Sequence, residues 1–420
     1  MYKLRHIEGK LRLMAQSFKV ILVVGARQVG KSTLLKNAFP HATHITFDPL
    51  EDVHHARKDP AFFFQKFPKP LILDEIQYAP ELLSTLKRIV DEDQQPGQYF
   101  LTGSHNLNTI KAAAESMAGR VGIIDLDGMT TYEQTETFSF SAAGQHQPPL
   151  WIEHYLKDSL LLTEQCTKTT EQPIEQALWR GSLPATLAIS SQLIPDYFSS
   201  YLQTYVHRDI RLLTNVKDLN AFRQFVGLIS ALTGQELNYR QLGREVDIDP
   251  KTARLWLTIL QHGYQWWELL PYSRNTIKRV VSTKTKGYLK DTGLACHLMR
   301  IPTPADALNH PARGALFETL VINTIISMLN ALSIYPGIYY WRTRNGAEVD
   351  LVLEYNNALY PIEIKMKGTL SSSDGSGLRA FRQTYEGSIP VKTGLIIYAG
   401  TRCEWYDRHT ITLPWNALCR

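Results

Sequence analysis

The chain has 420 residues, of which 44% are hydrophobic and 20% are charged, and its formal net charge is +5. This length predicts two to four domains with sizeable cores, and the composition is typical of a soluble globular protein. No apolar run reaches the roughly 18 residues that a membrane span needs, and no apolar signal region follows the first residues. We therefore expect a cytoplasmic protein with no membrane partner.

The four cysteines, Cys166, Cys296, Cys403 and Cys419, are scattered and include no C-x-x-C pair. This pattern predicts reduced thiols in a cytosol and argues against a structural zinc site. The modest positive charge permits nucleic-acid binding without requiring it.

The first motif is G-x-x-x-x-G-K-[ST] at residues 25–32, directly after the apolar run 20–24. Its glycines let the backbone turn so that successive N–H groups point at nucleotide phosphates. Lys31 would neutralise the β- and γ-phosphates, and the Ser32 hydroxyl would bind Mg²⁺. A strand pattern before it and a helix pattern after it argue against a chance glycine-rich turn. The predicted phosphate-binding residues are Gly25, Ala26, Arg27, Gln28, Val29, Gly30, Lys31, Ser32 and Thr33.

A second apolar strand at residues 71–73 ends in Asp74 and Glu75. In P-loop enzymes an aspartate at this place holds Mg²⁺, and a neighbouring glutamate can polarise the attacking water. Taken alone, this segment could be a strand that leaves the core and ends in two solvated charges. The phosphate loop upstream favours an NTPase instead.

Three further residues are candidates for contact with the γ-phosphate, two as sensors and one as a finger from a neighbouring subunit. Ser104 follows the strand pattern at residues 99–101, and Asn106 is the second choice, although an ordinary exit from the strand fits equally well. Arg120 follows a helical stretch and could reach the γ-phosphate of a neighbouring subunit, which would require a homo-oligomer. A solvated surface arginine is the alternative.

The middle of the chain is predicted to be mostly helical from about 150 to 215. Residues 237–261 then have the pattern of a helix-turn-helix, in which Asp249 is the N-cap and Pro250 the first helical residue. Lys251 and Arg254 would face nucleic acid, unless this region is a small structural domain. Residues 274–290 carry six basic residues and no acidic one, which predicts either a strip along a phosphate backbone or a charged edge strand.

The C-terminal part combines a predicted hairpin carrying Asp350 with a strand carrying Glu363 and Lys365. Side chains two apart on a strand share a face, and an adjacent strand can bring Asp350 beside them. Two carboxylates can hold Mg²⁺, and a lysine beside them can position water for attack on phosphate. Glu318, on a predicted helix at 315–329, would complete the metal site. For the strand with Glu363 and Lys365 taken alone, the alternative is an ordinary alternation of buried apolar and solvated polar side chains.

Together these motifs resemble a family of predicted bacterial and archaeal ATPases that join an AAA+-type P-loop domain to a C-terminal domain of formerly unknown function. The similarity runs over nearly the whole chain. Its segments are 25–32, 73–77, 101–104, 118–121, 205–210, 291–295, 314–318, 348–350 and 362–365. The last segments look like the PD-(D/E)XK restriction-endonuclease-like core. The resemblance implies ATP rather than GTP. Two segments depart from the family pattern, 123–129 and 180–184.

The predicted fold class is α/β. A P-loop NTPase domain with a parallel sheet is expected at 1–140, a helical region at 141–218, a winged-helix-like region at 219–290 and a nuclease-like α/β domain at 291–420. The predicted function is a Mg²⁺-dependent ATPase that couples its nucleotide state to a nucleic-acid-acting domain. The alternative is a regulatory switch whose C-terminal domain binds DNA or a protein without cleavage. The predicted catalytic residues are Lys31, Glu75, Ser104, Arg120, Asp350, Glu363 and Lys365, and the predicted metal ligands are Ser32, Asp74, Glu318, Asp350 and Glu363.

Overall fold

The computed structural model describes residues 2–419, apart from 49, 94, 104–116, 118, 136–149, 167, 205–215, 217 and 275–283. Ser104, the segment 205–210 and the basic residues Lys278 and Arg279 lie outside the described residues. Within the described part, the strands form a five-stranded, a nine-stranded and a two-stranded sheet.

The five-stranded sheet belongs to the N-terminal region. Its elements are α1 (Ile7–Ala15), β1 (Val20–Val24), α2 (Lys31–Ala38), β2 (Thr43–Thr46), α3 (Pro60–Lys66), β3 (Leu71–Asp74), α4 (Glu81–Glu92), β4 (Tyr99–Gly103), β5 (Val121–Asp125) and α5 (Thr131–Thr135). The strand order is β2-β3-β4-β1-β5, and all neighbours are parallel. The five residues of β1 are all buried, as expected of a strand covered on both faces. The predicted P-loop NTPase-like parallel sheet is thus confirmed.

The middle of the chain is largely helical where it is described. Its elements are α6 (Trp151–Lys157), α7 (Leu160–Gln165), β6 (Lys168–Thr169), α8 (Ile174–Arg180), α9 (Ile194–Thr204), α10 (Leu219–Ala231), β7 (Gln235–Glu236), α11 (Tyr239–Glu245), α12 (Pro250–His262), β8 (Trp266–Pro271) and β9 (Lys286–Leu289).

The turn between α11 and α12 has the predicted N-cap. The Asp249 carboxylate accepts hydrogen bonds from the N–H groups of Lys251 at 2.8 Å and Thr252 at 3.0 Å, and Pro250 is the first helical residue. This cap satisfies N–H groups that have no partner inside the helix. Lys251 and Arg254 are exposed on α12, and the Arg254 guanidinium lies 5.9 Å from the centre of the Tyr239 ring.

The C-terminal elements are α13 (Thr292–Leu298), α14 (Pro304–Asn309), α15 (Arg313–Leu332), β10 (Gly337–Arg342), β11 (Glu348–Tyr355), β12 (Ala358–Lys365), α16 (Ser376–Tyr385), β13 (Gly394–Tyr398), β14 (Glu404–Asp407), β15 (Thr410–Pro414) and β16 (Ala417–Leu418). The nine-stranded sheet has the order β14-β15-β13-β12-β11-β10-β8-β9-β7. Strands β10, β11 and β12 are antiparallel neighbours, and β13 is parallel to β12. Because β8 pairs with β10, one mixed sheet continues across residue 290.

A disulfide joins Cys166 to Cys419, which lie 253 residues apart in the sequence. The prediction of reduced thiols is therefore wrong for this pair, whereas Cys296 and Cys403 are free. Strands β6 and β16 pair beside the disulfide and bring the two cysteines together. Spacing in the sequence carries no signal for a contact made by tertiary structure over this distance.

Helix α15 is 20 residues long and contains an 18-residue window with a mean hydropathy of 1.6, so its length and composition alone would allow it to cross a membrane. Polar residues interrupt its pattern, so it is not a continuous apolar run. In the fold, 56% of that window is buried, and α15 packs against α1 and β12. A buried core helix has the same composition.

Candidate functional site

The phosphate loop connects the end of β1 to the start of α2. Gly25, Gln28 and Gly30 have φ angles of 148°, 61° and 96°, so the backbone turns through conformations that most side chains avoid. At Gly25 glycine is also required by space, because a Cβ atom would lie 2.2 Å from the carbonyl oxygen of Leu126. The loop is thus shaped by its glycines and by the chain that follows β5.

Lys31 is the first residue of α2 and is buried. Its ammonium donates hydrogen bonds to the carbonyl oxygens of Gly25 at 3.0 Å and Ala26 at 2.8 Å. The charge therefore lies within the curve of the loop, where the predicted phosphates would sit. Thr33, the last of the predicted loop residues, is exposed.

The acidic pair at the end of β3 meets the phosphate loop. The Ser32 hydroxyl donates a hydrogen bond of 2.6 Å to Asp74 Oδ1, although 42 residues separate them in the sequence. A hydroxyl and a carboxylate side by side are suitable Mg²⁺ ligands, so this donor set fits the ion. Glu75 follows in the left-handed region, with a φ angle of 59°. Its carboxylate accepts a hydrogen bond from the side-chain amide of Gln77.

Two neighbours of Asp74 were not predicted. Thr102 on β4 donates to Asp74 Oδ1, and its hydroxyl accepts the backbone N–H of Glu75 at 2.9 Å. His44 on β2 has its Nε2 3.5 Å from Asp74 Oδ2, and burial is the main cause that lowers its pKa. Both residues stand on the strands beside β3. The strand order of the sheet, which sequence patterns do not give, is what brings them to Asp74.

Arg5 is a further residue that sequence reasoning missed. Its guanidinium donates to the carbonyl oxygens of Val29 at 2.9 Å and Asp127 at 2.7 Å, and its Nε lies 3.2 Å from Glu133 Oε1. Both charged groups are buried. Glu133 accepts the Thr130 N–H at 2.8 Å. The T-x-x-E spacing of a capping box was the signal that could have revealed Glu133.

A cavity of about 330 Å³ opens beside Gly30 and Thr33. Tyr2, Met129, Pro184 and Leu187 contribute to its walls. The cavity therefore combines apolar surface with access to the phosphate loop, as a nucleotide base requires.

Arg120, the candidate finger, lies away from the phosphate loop of its own chain. It forms an ion pair with Asp91 on α4, and both side chains are partly exposed. Ser104 lies outside the described residues, so its position relative to the loop is not described.

The four C-terminal residues predicted from sequence line one cavity of about 510 Å³. They are Glu318 from α15, Asp350 from β11, and Glu363 and Lys365 from β12. The register pairs Leu351 with Ile362, so Asp350 and Glu363 come side by side one step further along. Asp350 Oδ2 accepts the N–H of Ile364 at 2.8 Å, and Lys365 contacts the Glu363 carboxylate.

The carboxylates of this cavity are held in an environment that favours their protonated forms. Burial, with the nearby Asp350 as second cause, raises the pKa of Glu318 to about 7. Burial also raises the pKa of Asp350, and burial together with Asp350 raises that of Glu363. Glu363 Oε2 is a buried oxygen with no hydrogen-bond partner among the described residues. Shifted pKa values of this kind are common in functional sites.

Lys286 of β9 also lines this cavity, and sequence reasoning did not assign it there. Its Nζ lies 3.2 Å from Glu318 Oε1 and 3.8 Å from Asp350 Oδ1, and it also contacts the carboxylate of Glu348. Burial alone would lower the pKa of Lys286, but the three carboxylates outweigh burial and raise it.

This arrangement does not fit the predicted metal site. Over the described ranges, no three Asp, Glu, His or Cys side chains are grouped so that they could hold a metal ion. Glu318, Glu348 and Asp350 surround the Lys286 ammonium instead, whereas Glu363 contacts Lys365. Within the basic strip at 274–290, Lys286 and Lys290 face protein carboxylates.

Three family models match the chain. Residues 17–135 match an AAA domain, residues 171–305 match a domain of unknown function (DUF8612), and residues 313–418 match another domain of unknown function (DUF4143).

Two mycobacterial proteins are similar to most of the chain. The uncharacterized protein Rv2008c of Mycobacterium tuberculosis (strain ATCC 25618 / H37Rv) is 28% identical over 370 residues, which cover 88% of this chain and 75% of the relative. The uncharacterized protein Mb2031c of Mycobacterium bovis (strain ATCC BAA-935 / AF2122/97) gives the same values.

Solved structures are more distant. The Walker-type ATPase PABY2304 of Pyrococcus abyssi is 13% identical with a TM-score of 0.39, over 69% of this chain and 94% of that one. The RuvB Holliday junction branch migration motor of Thermotoga maritima is 14% identical with a TM-score of 0.30, over 62% of this chain and 88% of that one.

The parallel sheet, the phosphate loop and the match of residues 17–135 to an AAA domain support a P-loop ATPase of the AAA type in the N-terminal part of the chain. Residues 313–418, which match DUF4143, contribute strands β10 to β15 to the mixed sheet.

Proposed function

We propose that the chain is a Mg²⁺-dependent ATPase that couples its nucleotide state to a nucleic-acid-acting, nuclease-like C-terminal domain. The observation that carries the ATPase half is the 2.6 Å hydrogen bond between Ser32 and Asp74. It brings the phosphate loop and the acidic strand, the two halves of a P-loop site, into direct contact.

In this mechanism Lys31 leaves the carbonyl oxygens of its own loop and binds the β- and γ-phosphates. Ser32 and Asp74 would hold Mg²⁺, which supplies positive charge to the triphosphate when bound. Glu75 accepts a proton from the attacking water, and Thr102 fixes the position of Glu75 through its backbone N–H. Ser104 remains a proposal as a γ-phosphate sensor, and Arg120 remains a proposal as a finger that reaches the γ-phosphate of a neighbouring subunit.

The cavity beside Gly30 and Thr33 is the proposed site of the adenine base. Its walls include Tyr2 from the chain before α1 and Leu187 from the middle of the chain. A base held there would touch the ATPase domain and the middle region together. Binding of ATP would then change the contact between these regions, which is what coupling requires.

Strand β9 is the proposed connection between the two sites. Lys290, directly after β9, has its Nζ 2.8 Å from Asp127 Oδ1, and the carbonyl oxygen of Asp127 accepts a hydrogen bond from Arg5. Arg5 in turn contacts the phosphate loop at Val29. Lys286, at the other end of β9, contacts the C-terminal carboxylates. Such a chain of contacts supports coupling, but only a measured coupling free energy establishes it.

The nuclease-like interpretation of residues 291–420 rests on their order of elements and on the four side chains in the cavity. Helix α15 is followed by the antiparallel strands β10, β11 and β12, then by α16 and by β13, which is parallel to β12. Glu318, Asp350, Glu363 and Lys365 converge from these elements. We also propose that residues 219–290 form a winged-helix-like region that binds DNA.

A second function is favoured by Lys286. Its ammonium lies among the carboxylates that a nuclease would use for catalysis. In that state the C-terminal domain would bind DNA or a protein partner without cleaving it, and ATP would act as a switch.

A matched assay of ATP turnover and DNA cleavage tests the proposal. Lys31→Ala should abolish ATP turnover, whereas Lys36→Ala, which removes an exposed lysine of the same helix, should not. Asp350→Ala should abolish cleavage of DNA and leave ATP turnover intact, with Glu354→Gln on the same strand as its control. Retained turnover in Lys31→Ala would refute the ATPase assignment. If the unmutated chain cuts no DNA with Mg²⁺ or Mn²⁺ in the presence of ATP, the switch is the function that stands.

A further inference from the structure

A lysine of the protein itself lines the C-terminal cavity and faces its carboxylates. The Lys286 side chain is only 5% exposed, and its Nζ lies within 4 Å of carboxylate oxygens from Glu318, Glu348 and Asp350. These three carboxylates come from α15 and β11, which approach from different directions. An ammonium in this position neutralises charges that would otherwise repel one another.

Other groups of the protein also bind oxygens of these carboxylates. Glu318 Oε1 also accepts a hydrogen bond from the Tyr288 hydroxyl at 2.7 Å, and Asp350 Oδ2 is bound by the N–H of Ile364 at 2.8 Å. Glu363 Oε1 is contacted by Lys365. Groups of the protein therefore bind one oxygen each of Glu318, Asp350 and Glu363, whereas Glu363 Oε2 has no hydrogen-bond partner among the described residues.

We propose that Lys286 is a built-in counter-cation that occupies the place of a divalent metal ion, so that the cavity binds such an ion tightly only when Lys286 is withdrawn. This inference deepens the proposed function of the C-terminal cavity and rests on it. An ammonium and a divalent cation compete for the same carboxylates here, because Lys286 faces Glu318 and Asp350, two of the predicted metal ligands.

The position of Lys286 in the fold connects it with the ATPase domain. Lys286 belongs to β9, and this strand ends beside Lys290, which is paired with Asp127 of the ATPase domain. A shift of β9 would move the ammonium relative to α15 and β11. The cavity would then alternate between a state with bound lysine and a state with bound metal.

The test is a titration of the full chain with Mn²⁺ alone, without nucleotide, followed by the paramagnetic signal of free Mn²⁺. Lys286→Met should bind Mn²⁺ at least about tenfold more tightly than the unmutated chain, because removal of the ammonium frees the carboxylates. Lys284→Met removes an exposed lysine two residues away and should leave Mn²⁺ affinity unchanged. Adding Asp350→Asn to Lys286→Met should abolish the gain.

Removing Lys286 alone leaves Glu348 without its closest cation, so the single variant risks misfolding. The double variant Lys286→Met/Glu348→Gln removes both charges of this contact and should show the same gain. If the unmutated chain binds Mn²⁺ through Asp350 as tightly as the Lys286 variants do, the inference is wrong and the metal site stands. If no folded variant shows Asp350-dependent binding, the cavity is not a cation site, and both the inference and the nuclease proposal fail.

Discussion

The two lysine–carboxylate sites of this chain are built in opposite ways. In the phosphate loop, Lys31 contacts backbone carbonyl oxygens of its own loop, and the Asp74 carboxylate contacts Ser32. In the C-terminal cavity, Lys286 lies directly between carboxylates of other elements. In the first site, these contacts of the cation and of the acid go to different groups of the protein. The second site pairs them with each other.

This difference teaches that a set of catalytic residue types does not by itself make a ready site. Both regions contain lysine, aspartate and glutamate in a concave, polar place. What separates them is whether the charges already neutralise one another inside the protein. Four measurements would sharpen or break this comparison.

The largest effect is expected for Glu75→Gln. Glutamine keeps the size of the side chain but cannot accept a proton, so ATP turnover should fall by about 10²- to 10⁴-fold while ATP binding is retained. Single-turnover kinetics and calorimetric ATP titration measure the two quantities. Gln77→Ala removes the hydrogen-bond donor to Glu75 and should have a smaller effect. Equal turnover in Glu75→Gln and the unmutated chain would remove Glu75 from the mechanism.

The second effect concerns the buried pair of Arg5 and Glu133. Arg5→Met leaves the Glu133 carboxylate buried without its cation and should lower the free energy of unfolding by about 3–5 kcal/mol. The double variant Arg5→Met/Glu133→Gln should recover part of that loss, because it removes both charges. Urea denaturation measures the cycle. If the double variant lost as much free energy of unfolding as the two single variants together, the Arg5 and Glu133 charges would not be coupled.

The third effect is a pH dependence that originates in the C-terminal cavity. Burial and Asp350 raise the pKa of Glu318 from 4.5 to about 7. The folded state therefore holds this proton more tightly than the unfolded state. The contribution of the protonated Glu318 to the free energy of unfolding is fully present below about pH 4.5 and is lost as the pH rises through about 7. This contribution is roughly 3 kcal/mol at most.

Glu318→Gln should remove this decline. The measurement is the free energy of unfolding of both proteins at about pH 5 and pH 8, and only the difference between them is informative, because other groups titrate too. His6, for example, has a pKa lowered mainly by burial and acts with the opposite sign. Parallel pH profiles for the two proteins would contradict the assignment.

The smallest effect is expected for Arg120→Ala. Its ion pair with Asp91 is partly exposed, so the free energy of unfolding should change by less than about 1 kcal/mol. Turnover at low protein concentration should also be unaffected. A loss of turnover seen only at concentrations where the chain self-associates would support the proposed role in a neighbouring subunit.

The ATPase half was predictable because its chemistry is local. The phosphate loop needs eight consecutive residues between a strand and a helix. Asp74 lies at the end of an apolar strand that is recognisable from the sequence as a run of apolar residues. The N-cap at Asp249 was predicted for the same reason. Thr102, His44 and Arg5 were missed, because they reach the site only through strand order or through the path of the N-terminal chain.

The two segments that depart from the family pattern illustrate the same limit. The backbone N–H of Met129 donates a hydrogen bond of 2.7 Å to the carbonyl oxygen of Ser182, and a Cβ atom on Gly128 would lie 2.0 Å from Ser182 Oγ. Asp291 caps α13 and also accepts hydrogen bonds from Ser182. The two unusual segments are therefore neighbours that fit each other, a relation that no spacing in the sequence expresses.

The amino-acid sequence by itself determined the parallel ATPase sheet, the phosphate loop, the acidic strand end and the four C-terminal residues that share a cavity. Only the tertiary structure decided the Cys166–Cys419 disulfide, the continuous mixed sheet across residue 290 and the place of Lys286. The physical reason is range: turns, caps and strand faces follow from neighbours along the chain, whereas the charge balance of a buried cavity depends on side chains that folding brings together from distant segments.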